Sequence, residues 1–239
     1  MTRRVKGGPT DGRSSRWSAH RQVRRAQLVA AAVAAIDAHG PDAAIAEIAA
    51  TAGVSKPVLY RYFTDKDELY AAVGSWGADL VLQRLLPSLS AELPLEERVR
   101  TGVDAYLATI EEHPNVFLLL VQHRVSGDTD PLADGKAAIA AAIARVMGDA
   151  LRGLGLDAGG AIPWAHGVVG LGLSVGEWWL TTKTMSRPAV SGYLTAFLWN
   201  ALAGISGDYG VPLGSGRPLR LLPDPELGAP QGPEQDAGS

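Results

Sequence analysis

The chain has 239 residues, of which 46% are apolar, and this is enough to bury a core and to exclude a wholly disordered protein. It contains no cysteine, which excludes disulfides, thiolate metal sites and cysteine nucleophiles and favours a cytoplasmic location. The net charge of −3 is unevenly distributed: residues 1–63 hold ten Lys or Arg and four Asp or Glu, whereas the rest hold twelve and twenty-one. This asymmetry favours a polyanion partner near one end of the chain.

The N-terminal region is predicted to be a flexible basic arm over residues 1–20, followed by a helix. The arm is rich in Arg, Gly and Ser, and it lacks the apolar stretch of a secretory signal. From Gln22 onward, apolar side chains recur at three- and four-residue steps, at Leu28, Val29, Ala32, Val33 and Ile36. The segment from His39 to Pro41 supplies the signals that end this first helix.

Two short helices and the start of a fourth follow within thirty residues. The second helix has apolar residues on one face and ends at Gly53, and Ser55 is predicted to cap the third helix, with Pro57 in its first turn. Thr64 and Asp67 are predicted to open the fourth helix as a variant of the capping box. Two short helices around a central glycine are typical of a helix-turn-helix, in which the third helix reads DNA.

The remaining sequence is predicted to be helical as well, so the fold class is all-α. The predicted helices cover residues 76–90, 95–112, 114–125, 132–153, 160–183 and 187–206, with Gly and Pro at the joints, and no alternating pattern of strand length appears. Residues 161–182 are long enough to span a membrane. They carry Pro163, His166 and Glu177, however, so we predict a buried helix and no membrane partner.

The segment IAEIAATAGVSKPVLYRYFTDKDEL, which runs from Ile45 to Leu69, strongly resembles the DNA-binding domain of the TetR family of repressors. The resemblance covers roughly residues 22–75. It implies that DNA is contacted by residues of the third helix and the start of the fourth, namely Ser55, Lys56, Pro57, Tyr60, Tyr62 and Lys66. Lys66 has independent support, because a helix N-terminus attracts phosphate.

This sequence departs from the family pattern at Ala44, where a hydroxyl residue commonly starts the second helix. The lost phosphate contact could be replaced by basic residues of the arm and the first helix, or that arm could simply be disordered; both alternatives are open. The basic residues are Arg13, Arg16, Arg21, Arg24 and Arg25.

The resemblance further implies a helix-turn-helix domain over residues 21–70 and an effector-binding and dimerisation domain over residues 71–206. The composition of residues 207–239 predicts a Pro/Gly-rich tail. The last two helices would form a homodimeric four-helix contact, and the glycines of the helix at 160–183 favour close backbone approach there. Candidate effector-binding residues are Tyr106, His113, Phe117, His123, Trp164, His166 and Trp178. No metal site or cofactor is predicted, because the histidines lack a close ligand pair.

The sequence therefore predicts a transcriptional regulator, a repressor that leaves an inverted-repeat operator when an apolar small molecule binds. One alternative is a DNA-binding regulator that senses no small molecule. Another is a helical enzyme in which His123 or His166 acts as a base beside a glutamate, although the chain has no nucleophile elbow, P-loop or metal motif.

Overall fold

The computed structural model describes residues 12–90, 93–126, 130–153, 155–208 and 210, and this part of the chain is all-α, as predicted. Its helices are α1 (Gly12–His39), α2 (Ile45–Thr51), α3 (Lys56–Leu59), α4 (Lys66–Ser90), α5 (Leu95–Glu112), α6 (Pro114–Ser126), α7 (Ala133–Gly153), α8 (Ala161–Thr182) and α9 (Arg187–Asp208). None of these helices is long and apolar enough to cross a bilayer.

Two helices differ in extent from their sequence-based prediction. Helix α1 begins at Gly12, about ten residues before the start that the apolar pattern predicts, because residues 12–21 contain few apolar residues and no helical apolar periodicity. Helix α4 continues without a break from Lys66 to Ser90, so Pro87 lies within its last turn and not at a joint. The predicted domain boundary at residues 70 and 71 is untested and falls inside α4; residues 1–11 of the arm and 211–239 of the tail lie outside the described residues.

The N-terminal core is formed by α1, α2, α3 and the first turns of α4. Its largest fully buried side chains are Tyr70, Phe63, Leu28, Ile36, Ile48, Leu59 and Leu69. Helix α6 adds Val116, Leu119 and Leu120 to the same cluster, so the core of the N-terminal helices extends into the helices that follow. Burial of this apolar surface supplies the main force that holds the four N-terminal helices together.

A second core joins α5, α8 and α9 through residues that include Leu107, Ile110, Trp179 and Leu194. Helix α8 approaches α5 closely at Gly176, where an added Cβ would lie 2.8 Å from Ile110 Cδ1 and from Tyr106 Oη. Burial raises the pKa of the Tyr106 hydroxyl, which stays neutral and donates a hydrogen bond of 2.8 Å to the Gly172 carbonyl. These two glycines thus approach α5 of the same chain, whereas the close approach predicted for a homodimeric contact is untested.

The same helix has a second group of glycines in open surroundings. An added Cβ at Gly167 or Gly170 would meet no atom within 4 Å, and both residues are exposed. Among the described residues, no contact compensates for the lower helix propensity of these two glycines.

Candidate DNA-binding surface and ligand cavity

The turn between α2 and α3 has the geometry that a helix-turn-helix needs. Gly53 adopts a φ of +65°, a left-handed conformation that costs glycine little. Its N–H donates to the Ala50 carbonyl at 3.0 Å, and the N–H of Val54 donates to the Ala49 carbonyl at 3.0 Å. These two bonds satisfy carbonyls at the end of α2 and turn the chain sharply into α3.

Helix α3 presents most of its predicted DNA-binding residues to solvent. Ser55, Lys56 and Pro57 are exposed, and Tyr60 is 43% exposed, while Leu59 is buried in the N-terminal core. Tyr62 differs from these because it is half-buried and packs against that core. The polar side chains therefore lie on the outer surface, where a duplex could reach them, and the apolar ones fix the helix in place.

The predicted cap of α3 is wrong, although its position is correct. Ser55 occupies the N-cap position with extended backbone angles, but its hydroxyl makes no capping hydrogen bond. Its carbonyl accepts the N–H groups of Val58 and Leu59 instead. The Ser55 hydroxyl is thus not committed to stabilising the start of α3.

The capping box of α4 is shifted by one residue from its prediction. Asp65 caps the helix, because its Oδ1 accepts the N–H of Glu68 at 2.7 Å, and Glu68 Oε2 accepts the N–H of Thr64 at 2.6 Å. Asp67, which the sequence assigned to the box, pairs with His123 at 3.1 Å. The predicted pair is therefore wrong. Asp65 and Glu68 form one bond at a spacing of three residues, and the side chain of Glu68 returns to Thr64, four residues back.

Lys66 is exposed at the first residue of α4, with its ammonium nitrogen 5.0 Å from the centre of the Tyr70 ring. At this location the exposed cation of Lys66 adds to the positive dipole of a helix start. Phosphate is the ligand that such a combination favours.

Two basic residues of α1 contact the chain just after α3. Arg25 Nη1 donates to the Tyr62 carbonyl at 2.6 Å and to Glu68 Oε1 at 2.7 Å, and its guanidinium lies 4.3 Å from the Phe63 ring centre. Arg21 donates to the Arg61 carbonyl at 3.4 Å. Both arginines thus stabilise the chain just after α3. Their spacing of four residues, in register with the apolar face of α1, was the signal that the sequence contained.

Glu68 joins these groups into one network. Its hydrogen bonds with Thr64 and then with Arg25 lower the pKa of Glu68 to about 2. The carboxylate is therefore fully charged at neutral pH, and it links α1 to the loop between α3 and α4.

Helix α2 lacks a side-chain cap, in agreement with the departure noted at Ala44. The N–H of Ala44 donates instead to Glu47 Oε2 at 2.7 Å, so one half of a capping box is present. Alanine offers no hydroxyl for a phosphate at this point. Arg13 and Arg16 lie in α1, but their side chains are outside the described part of the structure, as are residues 1–11.

Helices α4 to α9 enclose a cavity of about 770 Å³ with mostly apolar walls. Four of the seven predicted effector-binding residues line it, namely Tyr106, His113, Phe117 and Trp164. His166 lines a smaller space of about 410 Å³ between α7 and α8, and neither His123 nor Trp178 lines either space. The sequence patterns missed the contributions of α4 and α7, which include Val81, Leu85, Ile139 and Ile143.

The cavity wall carries cationic or titratable groups near both ends of α5. Arg98 donates from Nε to the Ser88 carbonyl at 3.2 Å and also bonds the Leu89 carbonyl, so it caps the end of α4. His113 lies at the other end of α5, where its Nδ1 is 2.7 Å from Asp37 Oδ2 on α1. One end of the cavity therefore borders the helices that carry the candidate DNA-binding surface.

Comparison with known proteins supports this reading of both regions. Residues 28–73 match the family model for bacterial regulatory proteins of the tetR family, and residues 84–213 match the tetracyclin repressor-like C-terminal domain. An uncharacterised HTH-type transcriptional regulator of Mycobacterium tuberculosis is 34% identical over 197 residues, covering 82% of this chain and 84% of the relative. The HTH-type transcriptional activator FasR of Mycolicibacterium smegmatis is 29% identical, with coverage of 77% and 85%.

Solved structures share the fold. A tetR-family regulator from Streptomyces coelicolor superposes with a TM-score of 0.63 at 23% identity, covering 79% of this chain and 83% of that one. FadR from Bacillus subtilis, determined in complex with stearoyl-CoA, superposes with a TM-score of 0.59 at 14% identity, covering 72% and 96%. The relatives are regulators and not enzymes. The two family models together span both regions of the molecule, and the chain belongs to the TetR family of DNA-binding transcriptional regulators.

Proposed function

We propose that the protein binds an inverted-repeat operator as a homodimer and releases it when an apolar small molecule fills the cavity of about 770 Å³. That cavity is the observation that carries the proposal, because a large apolar space with few polar groups is the usual form of a small-molecule site. A regulator of this kind acts on DNA in the cytoplasm.

The DNA-binding half of the proposal rests on α3 and the start of α4. Helix α3 would enter the major groove, with Lys56 and Tyr60 reaching base edges or phosphates from its exposed face. The Tyr62 hydroxyl and the Lys66 ammonium would bind phosphates beside the groove. Ser55 and Pro57 complete the exposed surface at the first turn of α3.

The dimer half rests on the outer faces of α8 and α9. On α8 the exposed residues include Gly167, Gly170 and Ser174 at helical spacing, with Ile162 and Trp178 near the ends. On α9 they include Gly192, Asn200 and Gly204, with Phe197 60% exposed. Small residues between large apolar ones suit close packing of helices, and a two-fold axis would bring the same faces together.

The length of the cavity favours a long ligand. Its lining residues follow α5 from Leu95 to His113, a stretch about 27 Å long. An extended apolar molecule could contact the walls along that whole stretch. The stearoyl-CoA held by FadR of B. subtilis makes a long-chain acyl compound the first probe to use.

The experiment measures fluorescence anisotropy of a labelled duplex that the protein itself selects from a random pool. We expect dimers by light scattering, an inverted repeat in the selected duplex, and an affinity loss of about a hundredfold with stearoyl-CoA, equal to about 2.7 kcal/mol of coupling. Lys66→Ala should reduce the salt slope by about one, whereas Arg100→Ala, on the exposed surface of α5, should not. Coenzyme A without the chain is the matched control.

Three results would oppose the proposal. A stable monomer, or selection of one unrepeated half-site, would contradict the dimer. Ligands of several chain lengths that raise the melting temperature without changing duplex affinity would leave a DNA-binding regulator that senses no small molecule. FasR is an activator by name, so release of DNA on ligand binding and the direction of control of the target gene require separate measurements.

A further inference from the structure

His113 contacts the ligand cavity on one side and helix α1 on the other, and the proposed function does not yet account for its contact with α1. It is the residue between α5 and α6, with φ −126° and ψ 57°, and its ring lines the cavity. The Trp76 ring, which also lines the cavity, packs edge-on against it at a centroid distance of 5.1 Å. On its other side, His113 Nδ1 lies 2.7 Å from Asp37 Oδ2. One side chain therefore touches both the ligand space and helix α1.

Asp37 is partly buried, with its side chain 29% exposed. Its Oδ1 is buried and accepts no hydrogen bond from the described residues, so His113 is the partner the structure shows for the carboxylate. Its backbone carbonyl accepts a hydrogen bond of 3.0 Å from Asn115 Nδ2, also at the start of α6. Loss of the His113 bond would leave this partly buried carboxylate without the one partner that the described residues give it, so movement of the His113 ring would favour movement of Asp37 with it.

Helix α1 then connects Asp37 to the candidate DNA-binding surface. The same helix carries Arg25, whose guanidinium holds the Tyr62 carbonyl and the Glu68 carboxylate. A shift of α1 along or around its axis would displace those bonds and thereby the position of α3. The chain of contacts is continuous from the cavity wall to the residues that follow α3.

A second histidine–aspartate pair provides a comparison. At the other end of α6, His123 Nε2 lies 3.1 Å from Asp67 Oδ1, and its ring packs edge-on against Tyr70 at 5.0 Å. His123 does not line the cavity, so a ligand there would not meet it. The first pair joins the residue just before α6 to α1, and the second joins a residue near the end of α6 to α4, but the cavity adjoins only the first.

We propose that the His113–Asp37 pair transmits occupancy of the cavity to α1, and that the His123–Asp67 pair anchors α6 and does not respond to ligand. The proposal rests on the proposed function, of which it names the means of regulation. A ligand that reaches the His113 end of the cavity displaces the ring, breaks the bond to Asp37 and frees α1 to move. His113 and Asp37 are positioning residues, because neither belongs to the candidate DNA-contacting group.

Two variants break the pair from opposite sides. His113→Phe keeps an aromatic ring in the cavity wall but removes the nitrogen that faces Asp37. Asp37→Ala removes the acceptor and leaves the cavity lining unchanged. In the native protein stearoyl-CoA should weaken duplex binding about a hundredfold, and in each variant by less than about threefold, while circular dichroism shows unchanged helix content. His123→Phe, the matched control, should retain release within about threefold of the native value.

A double-mutant cycle without ligand tests the pair independently. If the two residues act through one bond, His113→Phe and Asp37→Ala change duplex affinity by the same factor, and the double variant is no different from either single variant. Additive effects would overturn the proposal. So would full release by stearoyl-CoA in Asp37→Ala, or loss of release in His123→Phe, and in both cases the proposed function itself would stand. Acyl ligands could leave the duplex affinity of the native protein unchanged while the cycle is non-additive. That result would reject an acyl compound as the ligand and support the coupling between His113 and Asp37.

Discussion

The two regions of the molecule are stabilised in different ways. The helices that carry the candidate DNA-binding surface surround a filled core, and charged groups such as Arg25, Asp65 and Glu68 satisfy the backbone where they meet. Helices α4 to α9 instead surround a space of about 770 Å³ and rely on close approach at glycines. A filled core holds a reading surface in one geometry, whereas an apolar space leaves contacts that a ligand can supply. The first arrangement suits recognition and the second suits sensing.

Glycine packing provides the largest expected effect. A Cβ added to Gly74 of α4 would collide with the Pro131 backbone carbonyl, which cannot rotate away as a flexible side chain could. We expect Gly74→Ala to lower the free energy of unfolding by about 1 to 3 kcal/mol, as overpacking does. In a protein of this size the melting temperature should fall by about 2 to 4 °C per kcal/mol, which calorimetry can measure.

Gly77 is the matched control, since it lies one turn further along α4 and an added Cβ there meets nothing within 4 Å. Gly77→Ala should leave stability unchanged or raise it by up to about 1 kcal/mol, because alanine favours a helix more than glycine does. Equal destabilisation by the two substitutions would show that helix geometry, and not the contact with Pro131, explains the effect.

The polar network of the N-terminal region predicts a smaller effect on stability and a distinct effect on DNA binding. Arg25→Met removes the bonds to the Tyr62 carbonyl and Glu68, at a cost of about 1 kcal/mol, since Arg25 is 35% exposed and solvent screens its ion pair. Duplex affinity should fall about tenfold because α3 is less well positioned. The salt slope should stay unchanged, because the Arg25 guanidinium is already bonded to protein groups.

Arg25→Lys sharpens this prediction, since it keeps the charge but not the planar guanidinium that stacks 4.3 Å from the Phe63 ring. Partial recovery of affinity is expected. If Arg25→Met instead reduced the salt slope as Lys66→Ala is expected to do, Arg25 would be a phosphate ligand, and its contacts inside the protein would not explain its effect.

The two regions also differ in how much of each could be predicted from the sequence. The helix-turn-helix is encoded within Ile45–Leu69, where apolar spacing, Gly53 and the basic and aromatic residues are all local signals. The hydrogen bonds at the start of α4 were harder to predict, because Thr64 and Asp65 are both residue types that cap helices. Tertiary contacts decide which of the two does so. The DNA contacts of these residues stay predictions.

The cavity could not be predicted to the same depth. Its lining comes from α4 to α9, and the hydrogen bond that fixes one wall joins Tyr106 to Gly172, which are 66 residues apart. A periodic pattern shows which face of a helix is apolar, but it does not show whether that face meets a side chain or a void. This is why Tyr106 and Phe117 were found as aromatic candidates, while the aliphatic residues of α4 and α7 were not distinguished from core.

The smallest expected effect concerns the acid range, where the N-terminal network should respond through Glu68. The pKa of Glu68 is about 2 in the folded protein, below the ordinary value of 4.5. A carboxyl whose folded pKa is lowered contributes stability that is complete above its unfolded pKa and is lost as the pH falls towards the folded pKa. The advantage of native protein over Glu68→Gln should therefore be constant from pH 7 to about 5 and should disappear between about pH 4.5 and 2.

The size of that advantage is limited by solvent, because the Glu68 side chain is 37% exposed, and we expect about 1 kcal/mol or less at pH 7. Urea unfolding of both proteins at a series of pH values measures it. In an Arg25→Met background, the difference in stability between the protein with Glu68 and its Glu68→Gln variant should be smaller. The hydrogen bonds from Thr64 then lower the pKa of Glu68 without the contribution of Arg25. A stability advantage that is independent of pH down to 2.5 would mean that Glu68 acts through its shape and not its charge. In that case the ion pair between Glu68 and Arg25 would not be what fixes the position of α3.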